Sequence, residues 1–323
     1  MRVLVTGGTG FIGSHLIEFL LDKGNEVFAL VRDVSNLKWL KGLNIHPLEG
    51  DLFSVPPLPS GIDCMFHLAG ITKAIRKADY YTVNQQGTAS LFQSLESQNT
   101  SPKKIIHLSS LAAAGPCIDE NPVRETDPPH PVTPYGKSKL LGEIEALKFK
   151  NSLHVNIIRV ASVFGPRDQD FLQYFKWIKR GILPSLASKP LLLSLCYVKD
   201  LVRALDLFCR KEPKSGEVFN IANPEPYDYD ELGKAAGKAL RIKLRRVSLP
   251  LPMVFLAALV SELGGKFSKT PTIFDRQKFK DAKQARWVAD IQKASHKLGF
   301  SCQYTLENAV EETINWYLVN NWL

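Results

Sequence analysis

Apolar residues at the start of the chain follow two different spacings in quick succession. Residues 3–5 (VLV) form an apolar run that is too short for a helix and typical of a buried parallel strand. Glycines follow at positions 7, 10 and 13, and the apolar residues between 11 and 20 then recur at helical spacing. The sequence therefore predicts a strand, a glycine-rich turn and a helix, in that order.

This order of elements is typical of a site for the phosphates of a dinucleotide. Gly7 permits the tight turn, Gly10 lets the backbone approach a pyrophosphate, and Gly13 lets the helix pack closely on the strand. The N-terminus of the helix offers free N–H groups and the positive end of a dipole to the anion. The predicted cofactor contacts at this turn are Gly7, Thr9, Gly10, Phe11, Ile12 and Gly13.

The alternation of strands and helices continues through the first half of the chain. Predicted strands cover residues 26–31, 45–52, 64–68, 104–108 and 155–160, and predicted helices cover residues 80–97 and 133–150. Strands that alternate with helices in this way predict an α/β fold of the Rossmann type, with a doubly wound parallel sheet.

The pattern changes after residue 165. A helix at 171–180, a strand at 191–198, a helix at 200–209 and a strand at 217–221 are predicted, and the alternation is then lost. The expected domains are a dinucleotide-binding domain at 1–165, to which 191–222 returns, and a smaller, mostly helical substrate-binding domain at 166–190 and 223–323. The smaller domain would cover the carboxyl ends of the strands and form the substrate cleft.

Composition narrows the class of protein. With 323 residues, of which 45% are hydrophobic and 23% charged, the chain has the composition of a globular protein with a large core. The formal net charge of +9 suits a ligand that carries phosphates. The sequence has no long run of Lys and Arg interleaved with aromatic residues, so nucleic acid is not an expected partner.

Cysteines and apolar segments lead to expectations about location. The five cysteines are odd in number, scattered and without a CxxC pair, which predicts free or buried thiols in a reducing compartment, with neither disulfides nor a metal site. The first strand starts too early for a signal peptide. The longest apolar run, residues 249–260, is too short for a bilayer and contains Pro250 and Pro252. We expect a cytoplasmic protein without an integral membrane segment.

A candidate for proton transfer lies at the start of the helix predicted at 133–150. Tyr135 and Lys139 are four residues apart and therefore lie on one face of that helix, one turn apart. A phenol has a pKa of about 10, and a neighbouring ammonium lowers that pKa because it favours the phenolate. Ser110, at the tip of a central strand, could stabilise charge on a substrate oxygen. These three residues are the predicted catalytic groups.

With these residues in this order, the chain resembles the extended short-chain dehydrogenase/reductase family over nearly its whole length. The resemblance rests on the segments TGGTGFIG (6–13), GDL (50–52), HLAG (67–70), VNQQGT (83–88), HLSS (107–110), YGKSK (135–139), RVASVFGP (159–166) and YVKDLVRA (197–204). It implies an NAD(P)-dependent epimerase, dehydratase or reductase that moves a hydride between the nicotinamide and a secondary alcohol or ketone carbon. It also implies a homodimer formed by the helices around 80–97 and 135–150.

The resemblance also implies roles for individual residues. Tyr135 would be the acid/base, Lys139 its partner, and Ser110 the group that positions the reacting oxygen. The implied cofactor contacts beyond the glycine turn are Asp51, Leu52, Ala69, Gly70, Tyr135 and Lys139. Asn84 would either fix the geometry near Lys139 or start a helix, and His67 would serve packing.

The end of the second predicted strand bears on the choice of cofactor. Family members that prefer NAD carry an acid there for the ribose 2′-hydroxyl, whereas this chain has Val31 followed by Arg32. An arginine suits a 2′-phosphate, because its paired N–H donors match the phosphate oxygens. We therefore expect NADP, with NAD as the alternative that Asp33 keeps open.

The substrate is less defined by the sequence. The predicted substrate contacts are Thr72, Ser162 and Arg167. Members that act on nucleotide sugars carry asparagine where this chain has Ser162 and tyrosine where it has Phe164, and the dihydroflavonol-reductase and hydroxysteroid-dehydrogenase branches also lack that asparagine. The substrate is therefore either a nucleotide sugar or an apolar ketone or alcohol. A hypothesis of a different class is a dinucleotide-binding sensor or scaffold without catalysis.

Overall fold

A computed structural model describes residues 1–98, 100–186, 191–250, 284 and 286–323 of the chain. At its centre lies a sheet of seven parallel strands. The strands are β1 (Arg2–Thr6), β2 (Glu26–Val31), β3 (His46–Glu49), β4 (Cys64–His67), β5 (Ile105–Ser110), β6 (Val155–Val160) and β10 (Val218–Ile221), in the spatial order β10-β6-β5-β4-β1-β2-β3. The predicted α/β fold of the Rossmann type is confirmed.

Helices cover both faces of this sheet. On one face, α1 (Phe11–Asp22), α7 (Val198–Arg210) and α9 (Gln292–Leu298) share an apolar core with Val3 and Val5 of β1. On the other face, α3 (Thr88–Ser97) and α5 (Pro134–Leu147) share a core with Leu4. Successive side chains of a strand point to opposite faces, so a strand between two helix layers is buried on both faces and is mostly apolar.

The remaining strands form two smaller sheets. In the first, β9 (Leu192–Tyr197) pairs with β7 (Ser162–Phe164), β11 (Pro226–Tyr227) and β13 (Arg286–Trp287); in the second, β8 (Ile182–Leu186) pairs with β12 (Arg245–Leu249). The helices α6 (Asp170–Lys179), α8 (Tyr229–Leu240) and α10 (Leu306–Val319) contribute to a third core, which includes Phe175, Leu232 and Tyr317. Short helices α2 (Lys77–Tyr81) and α4 (Leu111–Ala114) complete the described elements.

The structure differs from the expectation that residues 191–222 return to the large sheet. Only β10 does so, whereas β9 belongs to a smaller sheet. The cause is visible in β9 itself, where Leu193 and Leu195 lie in the third core and Cys196 lies in the core that α1 and α7 share. A strand that is apolar on both faces has the same sequence pattern in either sheet. The division into 1–165, 166–190 and 223–323 stays a prediction.

Two other elements depart from their predicted bounds. The predicted helix at 80–97 is α2 and α3 joined by a π-helical turn at Thr82–Gly87. At this turn the hydroxyl of Thr88 donates to the carbonyl of Asn84 at 2.9 Å, and Gly142 of α5 lies so close that a Cβ would collide with that carbonyl. Strand β3 ends at Glu49, because the Asp51 carboxylate accepts two backbone N–H groups of its own turn at 2.8 Å.

The prediction of free thiols is wrong for two of the five cysteines. Cys64, at the start of β4, is bonded to Cys209, in the last turn of α7, and their Cα atoms are 6.0 Å apart. Cys117, Cys196 and Cys302 are free. The pair is 145 residues apart in sequence, so no local spacing indicates it.

The sequence predicts that the protein has no integral membrane segment. Among those in the described ranges, none is both long and apolar enough to cross a bilayer. The apolar run at 249–260 lies outside the described residues from 251 onward. The cytoplasmic location stays a prediction.

Candidate active site

The glycine turn between β1 and α1 is built for close approach. Gly7 has a φ of +73°, and a Cβ there would lie 2.7 Å from the backbone nitrogen of Ala69. A Cβ on Gly13 would collide with the carbonyl oxygen of Gly7, so α1 can start this close to β1 only with glycine at that position. The N–H of Gly10 donates to the same carbonyl at 3.1 Å and closes the turn.

The N-terminus of α1 is left open by this turn. The helix has 12 residues, no side chain caps its start, and its first turn contains no acidic residue. Gly10 is exposed, and Thr9, Phe11 and Ile12 beside it are half-buried. The first N–H groups of the helix and its positive dipole end are therefore suited to an anion such as a pyrophosphate.

Arg32 and Asp33 follow the carboxyl end of β2, and both are exposed. The Asp33 carboxylate accepts the backbone N–H and the hydroxyl of Ser35 at 2.8 and 2.6 Å, and these hydrogen bonds lower the pKa of Asp33. One oxygen of Asp33 is thus engaged within its own turn. Arg32 lies directly after the strand end at which the sequence predicts a cofactor contact.

Four further predicted cofactor residues lie at the same edge of the sheet. The Asp51 carboxylate accepts a backbone N–H of its own turn, and Leu52 is buried in the core beneath α3 and α5. Ala69 contacts the glycine turn, and its N–H donates to a hydroxyl of β1 at 3.2 Å. Gly70 lies next to Lys139, because a Cβ on Gly70 would be 3.8 Å from the Lys139 Nζ.

The helix that carries the predicted catalytic tyrosine, α5, starts at a strong local signal. The Thr133 hydroxyl accepts the N–H of Gly136 at 3.2 Å, and Pro134 occupies the first helical position. Gly136 lets α5 approach α4 so closely that a Cβ would collide with the carbonyl of Ala112. Since α4 begins directly after Ser110, this contact brings the start of α5 close to the predicted catalytic serine.

Lys139 is almost fully buried at the centre of this arrangement. Its Nζ donates to the carbonyl of Leu108 at 2.7 Å and lies beside the loop at Gly70. Burial lowers the pKa of Lys139 to about 8, and the carboxylate of Glu143, one turn further along α5, opposes that shift. The ammonium is therefore charged at neutral pH and lies one helical turn from Tyr135.

Ser110 and Tyr135 are each held by neighbouring groups. The Ser110 hydroxyl oxygen accepts the N–H of Ala112 at 3.2 Å, which leaves its proton for another acceptor. The ring of Tyr135 is half-buried, and its centroid is 6.0 Å from that of Tyr80. Tyr80 itself is buried and donates to the carbonyl of Thr72 at 3.4 Å. Tyr80 is not among the residues predicted from the sequence, although it lies just before the VNQQGT segment.

Asn84 connects the Gly70 loop to α5. Its side-chain oxygen accepts the N–H of Ile71 at 2.9 Å, and its side-chain nitrogen donates to the Ile71 carbonyl and to the Ser138 hydroxyl at 3.0 and 2.9 Å. A Cβ on Gly70 would lie 2.9 Å from the same side-chain oxygen. Of the two roles that the sequence left open for Asn84, the structure favours fixing the geometry near Lys139.

A polar cluster that the sequence analysis missed lies beneath α5. The Glu143 carboxylate accepts Nε and Nη2 of Arg159 at 3.0 and 2.7 Å and the hydroxyl of Ser109 at 2.5 Å. All three side chains are buried. The signal available was Arg159 itself, because a charged residue in a buried strand needs a buried partner.

Two histidines are fully buried in the same layer. His67 lies between the hydroxyls of Thr6 and Thr88 at 2.9 and 3.1 Å, and burial lowers its pKa to about 3. The ring of His107 is 4.9 Å from that of His67, and burial also lowers the pKa of His107 well below its usual value. Both rings are neutral and serve packing. In the described part of the chain, no group of three or more His, Cys, Asp or Glu side chains could hold a metal ion.

The three predicted substrate contacts differ in their surroundings. Thr72 and Ser162 are exposed, on the loop after β4 and at the start of β7. Arg167 instead lies against α1, where its guanidinium donates to Ser14 and Glu18 at 3.0 and 2.6 Å and stacks 4.8 Å from the ring centroid of Trp39. These contacts make Arg167 a structural residue, and its contact with a substrate stays a prediction.

The fold and the arrangement of these groups define a dinucleotide-dependent enzyme of the Rossmann type. The sequence profile of the NAD dependent epimerase/dehydratase family matches residues 3–222, which is more than half of the chain, and the protein belongs to that family. It is an NAD(P)-dependent oxidoreductase of the epimerase, dehydratase or reductase type, as the sequence predicts.

Individual relatives differ in what they act on. The chain is 25% identical to a ceramide reductase of Caulobacter vibrioides, over 99% of this chain and 96% of the relative. It is 27% identical to a probable dTDP-glucose 4,6-dehydratase of Sinorhizobium fredii, over 100% of this chain and 94% of the relative. The crystal structure of UDP-glucuronic acid 4-epimerase from Bacillus cereus in complex with NAD shares the fold, with a TM-score of 0.79 and 22% identity over 100% of both chains.

The buried ammonium of Lys139 yields a prediction about stability. Because the pKa of Lys139 is about 8 in the folded protein and about 10.5 when unfolded, its charge opposes folding below pH 8, and this cost disappears as the pH rises to about 10.5. Lys139→Met should raise the free energy of unfolding at pH 7 by about 2 kcal/mol, less than the full linkage value because the Leu108 carbonyl loses a donor.

The measurement is urea unfolding of the cofactor-free protein at neutral and at alkaline pH. The gain should shrink steadily above pH 8. Lys137→Met, on the exposed side of the same helix, is the matched control and should change the free energy of unfolding little at either pH. A gain of equal size at both pH values would mean that packing, not charge, distinguishes the variant.

Proposed function

We propose that this protein transfers a hydride between a nicotinamide dinucleotide and a secondary alcohol or ketone carbon, with Tyr135 as the acid/base. The observation that carries the proposal is the placement of Lys139, whose ammonium is buried beside the Gly70 loop, one helical turn from Tyr135. Burial of an ammonium costs free energy, so a buried lysine in this position indicates a chemical use.

The residues at the glycine turn fit the pyrophosphate of the cofactor, since the N-terminus of α1 is uncapped and glycines leave the approach clear. The dinucleotide, when bound, supplies or accepts the hydride. Lys139 would bind a ribose hydroxyl and favour the ionised form of Tyr135. Tyr135 would exchange a proton with the substrate oxygen, and Ser110 would donate a hydrogen bond to that oxygen.

NADP is the proposed cofactor. Arg32 is exposed directly after β2, where a guanidinium can bind a 2′-phosphate with paired donors. Asp33, the residue that would favour NAD, has one carboxylate oxygen bonded to Ser35. The related epimerase of Bacillus cereus binds NAD, so the choice between the two dinucleotides is open to a direct test.

The proposed substrate is an apolar ketone or alcohol. Among the described residues, the cations next to the predicted substrate segments are both paired, Lys73 with Asp170 and Arg167 with Glu18. Neither is left for the diphosphate of a nucleotide sugar. The near full-length similarity to a ceramide reductase supports an apolar substrate as well. Nucleotide sugars are the second candidate, favoured by the dehydratase relative and by the epimerase structure.

Replacing Tyr135 with phenylalanine tests the reaction. The wild-type protein should reduce long-chain ketones with NADPH and leave UDP-glucose and dTDP-glucose unchanged, and Tyr135→Phe should lower kcat by about 10²–10⁴-fold because proton transfer is lost. NADPH, followed by its fluorescence, should still bind, with a Kd raised by no more than about fivefold, because only one of the predicted cofactor contacts loses a hydroxyl. Tyr80→Phe, which removes a neighbouring hydroxyl, is the control and should keep its activity.

Three results would contradict parts of this proposal. Conversion of a nucleotide sugar by the wild type would replace the proposed substrate class and keep the role of Tyr135. Full activity of Tyr135→Phe would exclude that role. Cofactor binding without turnover of either substrate class would favour a dinucleotide-binding sensor.

The cofactor assignment is tested by Arg32→Ala. The Kd for NADPH should rise by about tenfold to a hundredfold, because a charge-assisted contact to the 2′-phosphate is lost. The Kd for NADH should change little, and Asp33→Asn should leave NADPH binding intact. An equal loss of affinity for both dinucleotides, measured by isothermal titration calorimetry, would contradict the assignment of NADP.

We also propose a homodimer through α3 and α5. Ile144 on α5 is 47% exposed, an apolar side chain that a second chain would cover. Light scattering should give about twice the chain mass of 36.1 kDa, and Ile144→Glu should shift the protein to the monomer. Ile118→Glu, at a residue that is 84% exposed elsewhere, is the control. A monomeric wild type would contradict the proposal.

A further inference from the structure

Two units of the predicted smaller domain, each a helix followed by a strand, lie side by side. α6 leads into β8 and α8 leads into β12, and these two strands pair in parallel, with Arg245 opposite Ile182. The N–H of Arg245 donates to the carbonyl of Gly181 at 2.8 Å, and a Cβ on Gly181 would lie 3.3 Å from the carbonyl oxygen of Lys243. The two helix-to-strand turns therefore lie side by side.

Exposed cations crowd these two turns. We define the basic face as Lys179, Arg180, Lys238, Arg241, Lys243 and Arg245, all of which are exposed. None of them forms a salt bridge with a residue in the described ranges, whereas the next cation, Arg246, is paired with Asp230 at 3.1 Å. Within the described ranges, six cations thus lie close together without a salt-bridge partner, in a chain whose formal net charge is +9.

The helix dipoles account for only part of this concentration. Lys179 and Lys238 lie in the last turns of α6 and α8, where a cation is favourable. Arg241 is the C-cap of α8 and shares this benefit, whereas Lys243 and Arg245 lie further along the chain and gain little from the dipole. Lys238 also follows Lys234 by four residues on the exposed side of α8, a spacing at which like charges repel. The basic face is therefore set up for an anionic partner.

A tryptophan at the margin of the basic face indicates what kind of partner. Trp177 is 48% exposed, and the Arg180 guanidinium lies 5.5 Å from its ring centroid. Tryptophan with neighbouring cations is typical of proteins that lie on a bilayer, because the ring enters the head-group region while the cations meet lipid phosphates. Surfaces for single-stranded nucleic acid use several aromatic rings along a groove, whereas Trp177 is the only exposed aromatic side chain among the described residues of α6, β8, α8 and β12.

We propose that the basic face docks the protein on anionic lipid head groups, with Trp177 entering the interface. Docking of this kind is peripheral and reversible, since the free energy comes from several cations within a Debye length of the charged surface. It does not depend on the reaction proposed above, because none of these residues belongs to the candidate active site. A protein held at a membrane in this way has direct access to substrates dissolved in lipid.

Co-sedimentation with vesicles tests the proposal on the full chain. The protein should bind vesicles of equimolar phosphatidylcholine and phosphatidylglycerol, release at high salt, and ignore pure phosphatidylcholine. Each cation near the surface contributes about fivefold, so the triple variant Lys238→Gln/Arg241→Gln/Lys243→Gln should lower the partition coefficient by about a hundredfold. Its thermal midpoint should stay close to that of the wild type, because all three side chains are exposed and the lost helix-dipole interaction is offset by weaker repulsion between the cations.

A second triple variant controls for net charge. Lys23→Gln/Lys150→Gln/Lys214→Gln removes as many exposed cations from the rest of the surface and should bind the vesicles as the wild type does. Equal loss in both triple variants, or equal binding to neutral vesicles, would overturn the proposal. So would binding of poly(U) RNA through the basic face without any binding to vesicles, which would assign that face to nucleic acid.

Quenching of tryptophan fluorescence by brominated lipids tests whether Trp177 enters the membrane interface. Lipids brominated near the head group should quench part of the tryptophan emission of the wild type, and Trp177→Phe should remove that quenching while the other four tryptophans still emit. Quenching that persists unchanged in Trp177→Phe would exclude this residue from the interface and refute that part of the proposal.

Discussion

The candidate active site depends on the buried carboxylate of Glu143. This group binds Arg159 of β6 and Ser109 of β5, and so ties α5 to two neighbouring strands. Removal of one partner from a buried ion pair costs about 3–5 kcal/mol, because the other charge stays buried without compensation. The loss of either charged group would therefore destabilise the whole cluster. The position of Lys139, one turn before Glu143, and the position of Tyr135 before it follow from this attachment.

Local patterns in the sequence predict the elements that local forces determine. The bounds predicted for the second strand, 26–31, agree with β2, and those predicted at 155–160 agree with β6, because both segments are short, rich in Val and Ile or other apolar residues, and bounded by loop residues. The turn at Gly7 and Gly13 has the predicted geometry, since a backbone approach that excludes Cβ leaves glycine as its trace. The start of α5 agrees with the helix predicted from residue 133, because Thr133 caps the helix and Pro134 occupies its first position.

Contacts between distant residues explain the rest. Arg167, a predicted substrate contact, binds Glu18, which is 149 residues away, and no local pattern indicates that pairing. His107 is polar by type but fully buried in the fold, and this burial lowers its pKa and keeps the ring neutral. The pairing of Glu143 with Arg159 is similar, since neither residue alone shows where its partner lies. A pattern along the chain carries no information about which buried charges meet.

The bond between Cys64 and Cys209 closes a covalent ring that contains Ser110, Tyr135 and Lys139. It joins the start of β4 to the end of α7, at the amino-terminal ends of the strands, whereas the candidate active site lies at their carboxyl ends. The exposed segment 118–122 lies within this ring. A protease that cuts the chain there would open the ring without releasing a fragment, so the two pieces would separate only after reduction.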